Sequence, residues 1–526
     1  MEQQGECQSL FTRAPQRTAF EKPEFAPVNI GWTRLLILAG ISTTIGSSLT
    51  VGYNIGVVNS PAGLIKAFCN ESFYERFGLV LGVAQLDVLW SAIVSIFLVG
   101  GAAGSLSGSW LADRVGRKGA IVTSTVLAVV SSILFVTSKS LNSVEMLILG
   151  RLLVGMSSGL ATCVVPMYLM ELAPLKLRGA VGVLCPLGVT FGVLVGQVMS
   201  LSQVLGKEDT WPVLLGFYLV FVGLSSVALP FLPESPKYLY IVKGETQLAI
   251  RQLEKIRGVE QQSLVADMQE LQAEQSCETK VWNLKTVLGD KNLLLPILLV
   301  CSMQAGQQFV GINAVFYYSV SIFMSAGLSE QNSQYATIGA GVINLAMAVI
   351  SIPVMSRVDR RLVFQISSSS AAVCLFILGI AISYIDTISW MPYLSIVGVL
   401  GFVFCYGIGL GPIPYFIGSE LFEVGPRPSA MALGSMANWA GNFIIGMTFP
   451  TMQMLIGANS FFIFAIVAVL LFVFIRMYLP ETRGCDPIVI AHYCRNGLSL
   501  SVQTPMSPVN TLNTDETTTA GSNEYK

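Results

Sequence analysis

Apolar residues in this chain come in long unbroken runs. Twelve of them reach about the 20 residues needed to cross a bilayer, at 33–53, 86–111, 119–138, 146–169, 180–203, 212–232, 292–318, 335–355, 363–384, 391–418, 428–450 and 459–479. The pattern therefore predicts an all-α membrane protein of twelve transmembrane helices. Between runs the polar segments are short, except 234–291, which is charged and has amphipathic helical patterning at 247–257 and 264–274. The seventh run is interrupted by polarity. From Gln304 to Tyr318 it carries the amides of Gln304, Gln307, Gln308 and Asn313, and an amide desolvated without a partner costs roughly 2–7 kcal/mol. At about 100° per residue, Gln304, Gln307 and Gln308 share one helix face, with Asn313 and Tyr317 nearly opposite. Both sets can face one cavity only if the helix breaks, and Gly311 lies between them. Broken helices that aim polar groups at the bilayer midplane are a common way to build a transporter site.

Composition agrees with the pattern. The chain is 53% hydrophobic and 12% charged, against about 25% charged in soluble domains. A net charge of −1 gives no reason to expect nucleic acid. The ten cysteines are scattered, and Cys163, Cys185, Cys301, Cys374 and Cys405 lie in apolar runs, so no disulfide framework is expected. There is no metal-ligand spacing, nucleophile–base pair or phosphate-binding glycine loop. No cofactor, metal or enzymatic activity is expected.

Basic residues sort by loop. Arg13, Arg17, Lys22 and Arg34 precede the first run; Arg114, Arg117 and Lys118 follow the second, Lys176 and Arg178 the fourth, and Arg357, Arg360 and Arg361 the eighth. The positive-inside rule places these loops, both termini and 234–291 in the cytosol. The sequon Asn70-Glu71-Ser72 then falls in the first outward loop, which makes Asn70 a glycosylation candidate and favours the plasma membrane. The chain also repeats itself. Glu171 recurs as Glu420, Arg114 as Arg357 and Glu234 as Glu481, at offsets of 249, 243 and 247 residues. Such a parallel repeat predicts two pseudo-symmetric six-helix halves, the layout of the major facilitator fold. The expected organisation is a cytosolic segment 1–32, a six-helix bundle 33–233, a cytosolic linker 234–291, a second bundle 292–480, and a largely disordered cytosolic tail 481–526.

Taken together, the motifs resemble those of the facilitative glucose/hexose transporters, sugar porters of the major facilitator superfamily. The resemblance runs from Gly31 to Gly484. It rests on Gly52-Tyr53-Asn54-Ile-Gly56-Val-Val-Asn59, Asp113 to Lys118, Glu171 with Arg178-Gly179, Pro233-Glu234-Ser235-Pro236, Gln307 to Tyr318, Gly425-Pro426-Arg427-Pro428, Asn438-Trp439 and Pro480 to Gly484. It implies that Gln307, Gln308, Asn313, Asn344 and Asn442 hydrogen-bond sugar hydroxyls, a task suited to amides because each both donates and accepts. By the same resemblance Trp439 lies near the apolar face of the sugar and Tyr415 lines the inner cavity. Arg114, Arg117, Glu171, Arg178, Glu420 and Arg427 are assigned to a cytosolic latch, with Glu171 grouped with Arg178 and Glu420 with Arg427. Tyr317 and Tyr318 are assigned to the gate. Three glycines and two prolines between Gly407 and Pro414 make the tenth run a second candidate for a broken, mobile helix.

Proton coupling requires a titratable group inside the bundle. The first run from Leu35 to Tyr53 has no carboxylate, and Asn54 stands where proton-coupled relatives have an Asp. Downhill uniport of a hexose is the expected activity, with the hexose and the lipid bilayer as partners and no nucleic acid. Several positions depart from the glucose-carrier pattern: Cys185-Pro186 replaces His-Gln, Tyr415 a Trp, Gly407 a Glu, Ser356 an acid and Asp359 a Gly. Glucose is the expected substrate, with a fructose-preferring or broad hexose carrier as the alternative, and a proton–sugar symporter and a membrane sugar sensor are the competing functions.

Overall fold

The structure is a computed structural model that describes residues 31–174, 177–260, 264–265, 267–269, 271–272, 284–422, 426–483 and 490. Every regular element among these residues is helical. Eight helices are long and apolar enough to cross a membrane. One of them, Val83–Ser138, is two spans joined at Gly116, whose φ of 87° and ψ of 166° break the helix. With the shorter apolar helices Leu184–Met199 and Trp211–Ser226, and with Arg427–Ile456, the spans number twelve. Their ends fall within a few residues of the apolar runs. The expected tail and N-terminal segment, and part of the 264–274 stretch, lie outside the described residues.

Lipid as solvent explains the distribution of side chains. Large apolar residues such as Val122, Val126 and Ile133 stay exposed along the outside of the spans, where hydrocarbon is their natural environment. With no hydrophobic force between helices in lipid, close backbone packing replaces it. A Cβ on Gly52 would lie 1.8 Å from Val189 O, and one on Gly192 2.0 Å from Leu49 O, so the first and fifth spans touch through their backbones. The second and fourth spans meet the same way at Gly100 and Gly159.

Four spans are irregular, one of them the sixth, which is interrupted at Phe217–Tyr218 between Trp211–Gly216 and Leu219–Ser226. The first contains a π-helical turn, Thr44–Ser48, but runs on without a break. The seventh is split into Leu294–Phe309 and Ile312–Ser325. The tenth is split into Met391–Ile408 and Ile413–Leu421. Outside the bundle, the helix Ala62–Phe77 carries Asn70 at one end of the molecule. Thr246–Arg257, expected as amphipathic, forms at the other end, where Arg257 Nη1 donates to Leu172 O at 2.5 Å and pairs with Asp267 at 2.8 Å.

Candidate functional site

Gly311 breaks the seventh span as its sequence requires. Its φ is +95°, and a Cβ there would lie 2.6–3.0 Å from the Phe464 ring, so both conformation and space demand glycine. The amides gather around this break, all of them buried. Asn313 Nδ2 donates to Gln308 Oε1 at 2.5 Å, closing the gap between the two half-helices. Gln307 reaches the other break. Its Nε2 donates to Leu410 O at 3.1 Å and Gly411 O at 2.8 Å, carbonyls that the interrupted tenth span leaves without helical partners. Its Oε1 accepts from Asn438 Nδ2 at 2.9 Å. Gln304 repeats the arrangement one turn earlier, donating to Pro414 O at 3.0 Å and accepting from Asn438 at 2.9 Å. The amides therefore join the seventh, tenth and eleventh spans into one polar network.

Other candidate residues surround this network. Among the described residues neither the buried Tyr317 hydroxyl nor Asn442 Oδ1, an acceptor, has a hydrogen-bond partner, although the two side chains lie within reach of each other. Tyr318 OH donates to Gly446 O at 2.9 Å. The Trp439 ring lies against Gly101 of the second span, where a Cβ would meet it at 2.4 Å, and Trp439 Nε1 donates to Ser105 Oγ at 3.2 Å. This tryptophan bridges the two halves. Tyr415 is exposed on the tenth span, within electrostatic reach of Cys185 on the fifth. Asn344 is half-buried on the eighth span.

Residues 39–490 match the sugar (and other) transporter family. The chain belongs to this family. Among its relatives it is 42% identical over 476 residues to the solute carrier family 2, facilitated glucose transporter member 1 of Gallus gallus, covering 90% of this chain and 96% of that one. To the member 5 protein of Equus caballus it is 39% identical over 462 residues, covering 88% and 92%. The inward-open xylose transporter XylE from E. coli has the same fold, with a TM-score of 0.70 at 23% identity, covering 87% of this chain and 99% of that one.

In this sugar transporter the charged turns pair differently from expectation. The sequence grouped Glu171 with Arg178 and Glu420 with Arg427. Instead, Arg117 Nε and Nη2 grip the two oxygens of Glu171 at 3.0 and 3.1 Å, and Ser235 Oγ donates to the same carboxylate. Arg360 takes Glu420 at 3.4 Å, and Thr482 Oγ1 donates to Glu420 at 2.5 Å. Arg427 donates to Phe422 O, Arg178 lines a cavity of about 150 Å³ with Glu171, Lys237 and Arg257, and Arg114 lies over Trp110 at 4.6 Å. The reason is geometric: the planar guanidinium of Arg117, one span away, meets both oxygens of Glu171, while Arg360 places Nε and Nη2 on a single oxygen of Glu420. Both pairs run within one half and do not join the halves.

Two carboxylates had a repeat but no role in the sequence. Glu234 Oε1 accepts from Arg117 N and Lys118 N at 2.9 and 3.2 Å. Glu481 accepts from Arg360 N and Arg361 N at 2.9 and 3.1 Å. Each caps the first turn of a span, where free N–H groups favour an anion.

The halves do meet at the end that carries Asn70. Asn59 Nδ2 donates to Phe316 O at 3.1 Å and Ser319 Oγ at 2.5 Å, while Val320 N donates back to Asn59 Oδ1 at 3.3 Å. Gln203 Nε2 donates to the Tyr335 hydroxyl at 2.8 Å. Asn70 itself is half-buried in a helix, its Oδ1 accepting from Leu81 N at 3.0 Å. Its neighbour Cys69 is buried, which pushes the thiol up to about 12. Deep in the first half, Arg151 is buried and donates to Asn54 O at 3.1 Å. Its guanidinium stacks 4.8 Å from the Phe97 ring centroid.

Proposed function

We propose that this chain carries a hexose down its gradient across the plasma membrane, its two six-helix halves, 33–233 and 292–480, rocking about a central sugar site. The observation that carries this reading is the amide network at the Gly311 break, built from neutral groups that suit neutral hydroxyls. Gln308, Asn313, Asn344 and Asn442 hold the sugar, with Trp439 and Tyr415 on the cavity wall. Gln307 contributes while also fixing the tenth span. Binding is weak, roughly millimolar or about −4 kcal/mol, because the carrier must release its cargo. The termini and charged turns face the cytosol and Asn70, the glycan acceptor, faces outward. The state described is then closed outside. The Glu171 and Glu420 clusters brace the cytosolic ends of each half, and Tyr317 and Tyr318 move with the gate.

Glucose is the preferred substrate, by likeness to the facilitated glucose transporter member 1 and by Asn438 beside Trp439; fructose is the second reading, because Cys185-Pro186 and Tyr415 depart from the glucose pattern. Uniport follows from Asn54, whose amide does not titrate and so cannot carry a coupled proton, beside an Arg151 that has no carboxylate partner among the described residues. Uptake of labelled glucose and fructose into proteoliposomes, each competed by the other, tests the reading. Saturable entry with glucose the stronger competitor is expected, and no accumulation against the gradient when a pH difference is imposed. Entry no faster than in empty vesicles would refute it.

A further inference from the structure

Gln197, on the fifth span, is 3% exposed and lies where the halves meet at the Asn70 end. Its amide crosses into the second half. A Cβ on Gly341 of the eighth span would lie 2.0 Å from Gln197 Oε1, so the amide packs directly against that glycine. Neither Oε1 nor Nε2 has a hydrogen-bond partner among the described residues, and the nearby Ser60 Oγ has none either. The surrounding side chains are polar, among them Asn59, Ser200, Gln334 and Thr337, but the gap between them is too narrow to hold a water. Asn59 is the contrast. Two residues past Val57, it satisfies both ends of its amide across the same interface.

Closing this end therefore strips water from the Gln197 amide and gives nothing back. A buried amide left unpaired is among the more destabilising features a packed interface can contain. When the end opens, the fifth and eighth spans part and the amide regains water. We propose that Gln197 is a positioning residue for the transport cycle: its uncompensated dehydration raises the closed state at the Asn70 end and speeds the return to the open one. Asn59 holds the end shut and Gln197 works against it, so the two together set how long the closed state lasts. The inference rests on the alternating-access reading above.

The test is a distance distribution by pulsed EPR on the full chain in liposomes, with spin labels on cysteines placed at the exposed positions Lys207 and Gln331. Asn59→Ala serves as the background, because loosening the closed end populates both distances. Adding Gln197→Leu, which keeps the size and removes the polar atoms, should raise the short-to-long ratio by about fivefold or more. Gln197→Met should do the same, which guards against a variant that fails to fold. An unchanged ratio, or a shift towards the long distance, would overturn the proposal. Because distances are read without any sugar flux, failure of this inference is distinguishable from failure of the transport reading. In a carrier that works, Gln197→Leu should also slow net entry into empty vesicles by a similar factor while exchange between sugar-loaded vesicles and medium changes less. Equal slowing of both would also contradict it.

Discussion

The two halves of this transporter share a fold and a set of charged turns, yet they hold their assets in different places. In the first half the connection between the second and third spans turns at Gly116, whose positive φ lets the backbone approach Glu234: a Cβ there would lie 2.3 Å from Glu234 Oε2. Arg117 then grips Glu171 bidentately, with side chains 8% and 10% exposed. The second half makes the same turn at Asp359, with an ordinary φ of −65°, and its pair is longer, at 3.4 Å, and more open to water. The broken spans show the opposite bias. The first span runs through its π-turn unbroken, while its counterpart the seventh is split at Gly311, and the tenth is split as well. The first half is the braced body. The second half holds the breaks at Gly311 and Gly409–Pro412 and the amides that bridge them, whereas the first half's one interrupted span, the sixth, has no such amides across its gap among the described residues.

That comparison can be broken at its strongest point first. Gly311→Val forces a β-branched residue into positive φ against the Phe464 ring, which combines about 1–3 kcal/mol of strain with an overpacked core. Uptake per delivered carrier should fall at least about tenfold, with a clear loss of thermal stability. Next, Gln307→Leu leaves the Leu410 and Gly411 carbonyls without a side-chain partner, at about 1–3 kcal/mol each, while Asn438 keeps Gln304. We expect roughly a hundredfold drop in transport with normal membrane delivery, and a readout of near-normal transport would reduce the network to helix glue. Smaller again is the contrast between the clusters. Arg117→Ala strands a buried carboxylate, an effect of about 3–5 kcal/mol, whereas Arg360→Ala acts on a more hydrated pair and should change the melting temperature far less, consistent with about 1 kcal/mol. Equal melting shifts would erase the asymmetry. At the small end, Arg114→Ala removes only an exposed stacking contact and should leave both stability and uptake within about 0.5 kcal/mol of the parent.

Much of this was legible in the order of residues. Run length alone places twelve spans in lipid, and four amides flanking Gly311 announce the break, because no other arrangement satisfies them. The glycines and prolines of the tenth span announce the second break. What the chain order hides is pairing at a distance. Glu171 has Arg178 seven residues away, but the residue that meets it is Arg117 on another span. Glu234 and Glu481 serve backbone N–H groups more than a hundred residues upstream, and a backbone partner leaves no mark in the side-chain pattern. Gln307 is the same case: its fitness for hydroxyls is plain, while its hold on two tenth-span carbonyls depends on where that helix stops. Gln197, inside the fifth apolar run, and Asn59, just past the first, read alike as lone amides. Only the interface separates the satisfied one from the unsatisfied.

The central claim is that the second half's amides hold the sugar. Asn313 tests it most directly, because among the described residues its side chain hydrogen-bonds Gln308 and no backbone group. Equilibrium binding of labelled glucose to the purified carrier should weaken about tenfold or more in Asn313→Ala, a change of about 1.4 kcal/mol or more, with the melting temperature nearly unchanged. An unaltered affinity would contradict the account.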